Sequence, residues 1–253
     1  MTWKIPDDWQ KPYAEVVLAA LHDNDVFSSF RRLKGYNYIM ADSMPQDMAQ
    51  ALYDTISQNP HLLDLLEWAK RTDAIGGPKL REPFGTSPRN LRYIYTAHLI
   101  QTHFENIHNV VEIGVGYGGL CWVMHGLFEI THYTLLDIPN VRKLATKVLS
   151  CFKETSNIEQ GEPPYDLTIS ECAITELDWP EVKQYYNDYI QHSRHFLIRS
   201  NYHTQAEFDR FLGLLNQDFA VKISPLWPDG STERVCGRIL LGTKNEVLSA
   251  KLS

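Results

Sequence analysis

The chain has 253 residues, a net charge of −7, and 43% hydrophobic against 22% charged residues. That composition excludes extensive disorder, because enough apolar surface is present to offset the ordering entropy, and no apolar run approaches the roughly 20 residues that cross a bilayer. The acidic balance argues against nucleic acid or an anionic membrane as partner. The polar start Met1–Asp8 does not read as a secretory leader, and Cys121, Cys151, Cys172 and Cys236 form no C-x-x-C pair, which points to reduced, mostly buried thiols in a cytoplasmic protein.

Two parts are expected: a helical N-terminal cap with a substrate-side loop over residues 1–90, and a Rossmann-like domain over 91–253. In the first, Met48–Ile56 and His61–Ala69 repeat apolar residues at helical spacing, with Asn59-Pro60 as the turn and helix start between them. Residues 76–90 hold three prolines and three glycines, a long loop of the kind that is often functional. Helix resumes over Leu91–Phe104.

Beyond it strands and helices alternate. Strands are expected at Asn109–Ile113, Tyr133–Asp137, Asp166–Ser170 and His195–Arg199, and helices at Gly118–Phe128, Val141–Cys151, Trp179–His192 and Gln205–Leu215. This alternation predicts an α/β fold with a mostly parallel sheet covered by helices on both faces. The last two strands, Phe219–Ile223 and Arg238–Gly242, have no helix between them and are expected to pair antiparallel. Residues 152–164 are too few for a strand plus a helix, so the third strand is abbreviated or its helix is missing.

Glu112-Ile113-Gly114-Val115-Gly116-Tyr117-Gly118-Gly119 follows a strand and opens a helix. Glycines permit close approach of backbone to a ligand, and the helix N-terminus adds partial positive charge. Gly114, Gly116 and Gly119 match the dinucleotide pattern G-x-G-x-x-G. Glu112, two residues before the first glycine, suits an ammonium-bearing ligand better than a pyrophosphate. Asp137 ends the second strand 23 residues after Gly114, where a carboxylate can accept both hydroxyls of a ribose; a helix cap is the alternative.

The runs Val110–Leu120 and Tyr133-Thr134-Leu135-Leu136-Asp137-Ile138-Pro139 resemble the class I S-adenosylmethionine-dependent methyltransferases. More narrowly, Gly116-Tyr117-Gly118-Gly119, Ser170-Glu171-Cys172-Ala173-Ile174-Thr175-Glu176, and Gly77-Pro78 followed by Ser87-Pro88-Arg89-Asn90-Leu91-Arg92-Tyr93 are similar to the sugar O-methyltransferases of bacterial and viral glycan gene sets. The likeness covers about residues 75–205. Glu171 stands where that group has asparagine, and Gly76-Gly77-Pro78 where it has G-N-P.

The resemblance implies S-adenosylmethionine as methyl donor and a hydroxyl of a sugar, nucleotide sugar or glycan as acceptor. Another small hydroxylated acceptor and a non-catalytic accessory subunit are the alternatives. Glu112, Gly114, Gly116 and Gly118 would surround the methionyl part and Tyr117 would lie over the loop. Asp137 would bind ribose, Ile138 would pack on adenine, and Arg92 would pair with the cofactor carboxylate; Ser170 completes the cofactor set. A sugar hydroxyl is a poor nucleophile and calls for a base or a metal. The candidates are His203, Glu176 and Glu171. The alternative is Mg²⁺ or Mn²⁺ held by Glu171, Glu176 and Asp178. Trp227 is a candidate sugar platform, and Tyr36 with Tyr38 would cover the site from the N-terminal cap. Self-association is left open.

Overall fold

The computed structural model describes residues 7–40, 44–155, 158–228 and 236–246. The stretch Met1–Pro6, the side chains of Tyr38 and Cys236, and most of the link between the last two strands lie outside them. Among the described residues no helix is long and apolar enough to cross a membrane.

Five helices come first: α1 (Asp7–His22), α2 (Asn24–Ser29), α3 (Lys34–Met40), α4 (Gln46–Ser57) and α5 (Pro60–Lys70). The α5 start is as expected, with Pro60 at its first turn and the Asn59 side chain accepting from His61 N at 3.0 Å. α6 (Pro88–His103) leads into β1 (Asn109–Ile113). Then come α7 (Gly119–Leu127), β2 (His132–Leu136), α8 (Pro139–Leu149) and β3 (Tyr165–Glu171). α9 (Trp179–Asp188), β4 (Ser193–Tyr202), α10 (Gln205–Leu215), β5 (Phe219–Pro225) and β6 (Cys236–Lys244) complete the chain.

The six strands form one sheet in the order β2-β1-β3-β4-β6-β5. β2, β1, β3 and β4 are parallel, and β6 runs antiparallel to both β4 and β5. This is the expected Rossmann-like α/β sheet with an antiparallel last strand. Period-two alternation divides its side chains between two cores. Leu197, Ile239 and Leu241 join the helices α1 and α4–α8, whereas Phe196, Ile198 and Leu240 join α9 and α10.

The N-terminal helices share the first of these cores, which is continuous from Tyr13 and Leu52 to Val110 and Leu241. Trp68 of α5 stacks on Trp122 of α7 at 4.3 Å, and each indole N–H donates to the other's backbone carbonyl, at 2.9 and 3.0 Å. Lys147 of α8 donates to the carbonyls of Ala20 and Leu21 at the end of α1, where a cation offsets the negative helix end.

Three local features refine or differ from the expectations. Between α8 and β3, where a full strand plus helix was not expected to fit, the described residues hold a single helical turn, Lys153–Thr155, and no strand. The chain instead touches the β2 edge, with Tyr133 N donating to Glu159 O at 2.9 Å and Gly161 N to Thr134 Oγ1 at 2.9 Å. Residues 76–87 form a loop tied down by side chains. Asp73 binds Thr86 Oγ1 at 2.6 Å and Ser87 N at 3.0 Å, Arg81 is held by Gln46 at 2.9 Å, and none of them lines the cavity described below. Among the described thiols only Cys121 is buried; Cys151 is exposed and Cys172 half-buried, because Cys151 follows α8 on its solvent side.

Candidate active site

A cavity of about 210 Å³ opens at the carboxyl ends of β1, β2, β3 and β4, where ligands of open α/β sheets bind. On one side lie Ile113, Gly114, Gly116, Leu136 and Asp137, at the ends of β1 and β2. Opposite them lie Glu171, Cys172, Ala173 and Glu176 after β3, and Arg199 and Asn201 on β4. α6 contributes Arg89, Arg92 and Tyr93, the N-terminal helices contribute Tyr13, Ile39 and Met40, and Leu226 and Trp227 close the rim.

The glycine loop is shaped by backbone handedness. Gly114 has φ 84° and Gly116 φ 54°, left-handed values at which a side chain is strained. A Cβ on Gly114 would collide with Ala173, and one on Gly116 with Met40 Cε. Asp137 does not cap α8. Its carboxylate accepts from Ile138 N at 2.7 Å and from Gly116 N at 3.2 Å, which fastens the β2 end to the loop while the residue faces the cavity. Burial raises its pKa to about 6, against the opposing pull of these backbone donors.

Several sequence candidates sit behind the loop. Glu112 is 1% exposed and accepts from Tyr133 Oη at 2.7 Å. Tyr117 packs inward, with Arg31 Cζ 4.2 Å from its ring centroid and Asn90 Oδ1 3.4 Å from its hydroxyl. Ser170 joins Ile113 O at 3.0 Å to Ile174 N at 3.1 Å. None of these, nor Gly118 or Ile138, lines the cavity. Sequence order places them beside the loop, but strand alternation and the inward turn of Tyr117 carry them to the protein side.

Burial pushes the Glu112 carboxyl up to about 8, the Tyr133 hydrogen bond opposing it. An acid with a raised folded pKa holds its proton in the native state after the unfolded chain, near the ordinary 4.5, has lost it. Stability of the cofactor-free protein therefore falls as pH rises from about 4.5 towards 8. Glu112→Gln keeps an acceptor for Tyr133 and should flatten that fall. Melting midpoints of both proteins from pH 5 to 8.5 check this, and parallel curves would exclude the titration.

At the opposite wall the two glutamates differ. Glu171 Oε1 accepts from Thr96 at 2.6 Å, and Oε2 meets Arg92 Nε at 2.9 Å and Arg199 Nε at 3.1 Å. Burial alone would raise its pKa, but the Arg199 and Arg92 guanidiniums outweigh that and hold it low. So placed, Glu171 is a poor base, and its oxygens are committed. Glu176 keeps a carboxylate on the cavity wall, with Oε1 accepting from Asn201 Nδ2 at 2.8 Å. Asn201 also meets Thr175 Oγ1.

His203, the expected base, is exposed beyond the end of β4 and does not line the cavity. The three acids named for a metal, Glu171, Glu176 and Asp178, are not brought together. Glu171 is taken by two arginines, Asp178 precedes α9 outside the cavity, and among the described residues no group of three His, Cys, Asp or Glu is arranged to hold a metal ion. Trp227 lines the cavity, 2% exposed, with Arg199 Cζ 5.1 Å from its ring centroid. Tyr36 is instead core, edge-on to Phe30 at 4.9 Å and beside Tyr13 at 5.4 Å.

Arg89, Tyr93, Arg199 and Asn201 were not among the sequence candidates. Ser87-Pro88-Arg89-Asn90-Leu91-Arg92-Tyr93 carried a usable signal: positions 89, 92, 93 and 96 share one helix face. Arg199 was signalled by a charge ending the apolar run His195–Ile198.

No protein-family model matches the chain, and no curated protein matches it. Solved structures align with it. The methyltransferase domain of bacterial CtHen1-CN covers 60% of this chain and 97% of its own, at 12% identity and TM-score 0.48. Magnesium protoporphyrin IX methyltransferase from Synechocystis PCC 6803, with bound SAM, covers 80% and 99% at 14% identity and TM-score 0.47. Mitomycin 7-O-methyltransferase covers 81% and 75% at 15% identity and TM-score 0.42.

Proposed function

We propose that the protein is an S-adenosylmethionine-dependent O-methyltransferase whose acceptor is a sugar hydroxyl. One observation carries the reading: a single cavity joins the Asp137 carboxylate and the left-handed Gly114 and Gly116 backbone to a carboxylate, Glu176, on the facing wall. The bound cofactor supplies an electrophilic methyl group on a sulfonium. Asp137 receives the ribose hydroxyls on the oxygen lone pairs that its backbone donors leave open. Gly114 and Gly116 let the cofactor lie against bare backbone. Glu176, oriented by Asn201, takes the acceptor hydroxyl's proton as the oxygen attacks in line. Water displaced by the acceptor strengthens that carboxylate as a base. Trp227 offers a ring face and Asn201 a polar edge, the pair a pyranose needs.

Asp137→Ala should weaken S-adenosylhomocysteine binding by roughly ten- to a hundredfold with little change in melting temperature, because charge-assisted hydrogen bonds of ~1.5–3 kcal/mol are lost. Affinity of the wild type should rise as pH passes upward through about 6, where Asp137 ionises. Calorimetry at pH 5–7 checks both, and equal affinity in the two proteins would end the ribose assignment.

Activity itself is tested by a methyl-transfer screen over nucleotide sugars and deoxysugar glycosides, with EDTA or with Mg²⁺ or Mn²⁺. Turnover of a sugar in EDTA is expected. Turnover confined to non-sugar acceptors would overturn the acceptor class.

A further inference from the structure

Two guanidiniums share one carboxylate at the cavity wall, and they are not equivalent. Arg199, with a side chain 1% exposed, is fully engaged: Nε on Glu171, Nη1 on Leu226 O at 2.7 Å, and Nη2 towards Thr96 Oγ1 at 3.3 Å. Arg92 faces Glu171 only through its buried Nε, as an ion pair at 2.9 Å that does not have hydrogen-bond geometry. Its side chain is 16% exposed, it lines the cavity, and among the described residues nothing accepts a hydrogen bond from its Nη groups. Among charged groups Glu171 attracts it, while Arg89 and Arg199 both repel it.

On the other side of Arg199, Trp227 is 2% exposed and its indole Nε1 has no acceptor among the described residues. Among the described residues this cavity wall therefore sets two guanidiniums against the Glu171 carboxylate and leaves a buried donor over, a combination that costs free energy until an anion fills it.

We propose that the methyl acceptor carries an anionic oxygen group, a carboxylate or a phosphate, and that Arg92 and the Trp227 indole N–H receive it; this rests on the methyl-transfer reading of the cavity. The cofactor brings a carboxylate, but as a whole it does not offset the charge. With an ammonium and a sulfonium against one carboxylate it is a net cation, so its binding deepens the positive excess. Anchored at Arg92, the acceptor presents a fixed hydroxyl to Glu176, which makes the charged group a determinant of which position is methylated.

The test uses protein saturated with S-adenosylhomocysteine and titrated at low ionic strength with inorganic phosphate, D-glucuronate and D-glucose. Phosphate and glucuronate should bind at least about tenfold more tightly than glucose, as a charge-assisted contact requires. Arg92→Gln should erase the preference, Arg92→Lys should keep part of it, and Trp227→Phe, which keeps the ring and loses the donor, should lower anion affinity a few-fold. Equal binding of glucose and the anions, no anion binding, or an unchanged preference in Arg92→Gln would overturn the proposal. The cofactor carboxylate is the other source of such an anion. If Arg92→Gln weakens S-adenosylhomocysteine but not its decarboxylated analogue, Arg92 serves the cofactor and the proposal fails. Failure of the methyl-transfer reading itself is visible separately, as wild-type protein that does not bind S-adenosylhomocysteine before any sugar is added.

Discussion

Glu176→Gln should lower kcat by roughly 10²–10⁴ and leave S-adenosylhomocysteine affinity within about twofold of wild type. The amide keeps the size of the carboxylate and an oxygen for Asn201 Nδ2, which donates to Glu176 Oε1 at 2.8 Å. It removes only the capacity to take a proton. Asn201→Ala leaves the base in place but loosens it, so a smaller loss in kcat is expected. His203→Ala should be near wild type, because that imidazole is exposed outside the cavity. Near-normal turnover by Glu176→Gln, with its melting temperature unchanged, would show that the acceptor proton leaves by another route.

Gly116→Val should abolish cofactor binding, with a loss of affinity of at least about a hundredfold. Three effects act together at this position. A β-branched residue at φ 54° is strained by ~1–3 kcal/mol. Its Cβ collides with Met40 Cε, so the end of α3 must move. Any shift of the loop also breaks the 3.2 Å hydrogen bond from Gly116 N to Asp137, disturbing the carboxylate proposed to hold ribose. Gly116→Ala shares the handedness penalty but not the branching, and should fall between Val and wild type. Calorimetry beside a thermal melt separates lost binding from lost folding. Normal binding by the valine variant would show that this loop does not cradle the ligand.

The fold was legible because its signals are local. Asn109–Ile113 and Gln205–Leu215 have in the structure the bounds their apolar patterns suggest. Elsewhere ends moved by a few residues, as for β4, whose strand runs on to Tyr202 through Arg199, Ser200 and Asn201. The polar residues after Arg199 carry no apolar pattern, yet the eight residues His195–Tyr202 all pair with β6, from His195–Thr243 to Tyr202–Cys236, and non-local pairing of this kind leaves no trace in a window of sequence.

The site was legible where spacing fixes direction. Gly114, Gly116 and Asp137 line the cavity as their positions at strand ends imply. It was not legible where a side chain's neighbours come from distant segments. Glu171 looked like a base or a metal ligand from its place after β3. Only the fold brings Arg92, 79 positions earlier, and Arg199, 28 later, onto its Oε2. Tyr36 likewise reads as a possible cover over the site, and becomes core because Tyr13 and Phe30 enclose it.

The central claim is that this cavity binds S-adenosylmethionine, and titration calorimetry of the purified protein with S-adenosylmethionine, S-adenosylhomocysteine and NAD tests it most directly. Saturable one-to-one binding of the first two, weakened in Asp137→Ala and lost in Gly116→Val, and no heat with NAD is the expected result. Binding of NAD in place of the sulfonium compound, or binding of S-adenosylhomocysteine that both variants retain, would contradict it.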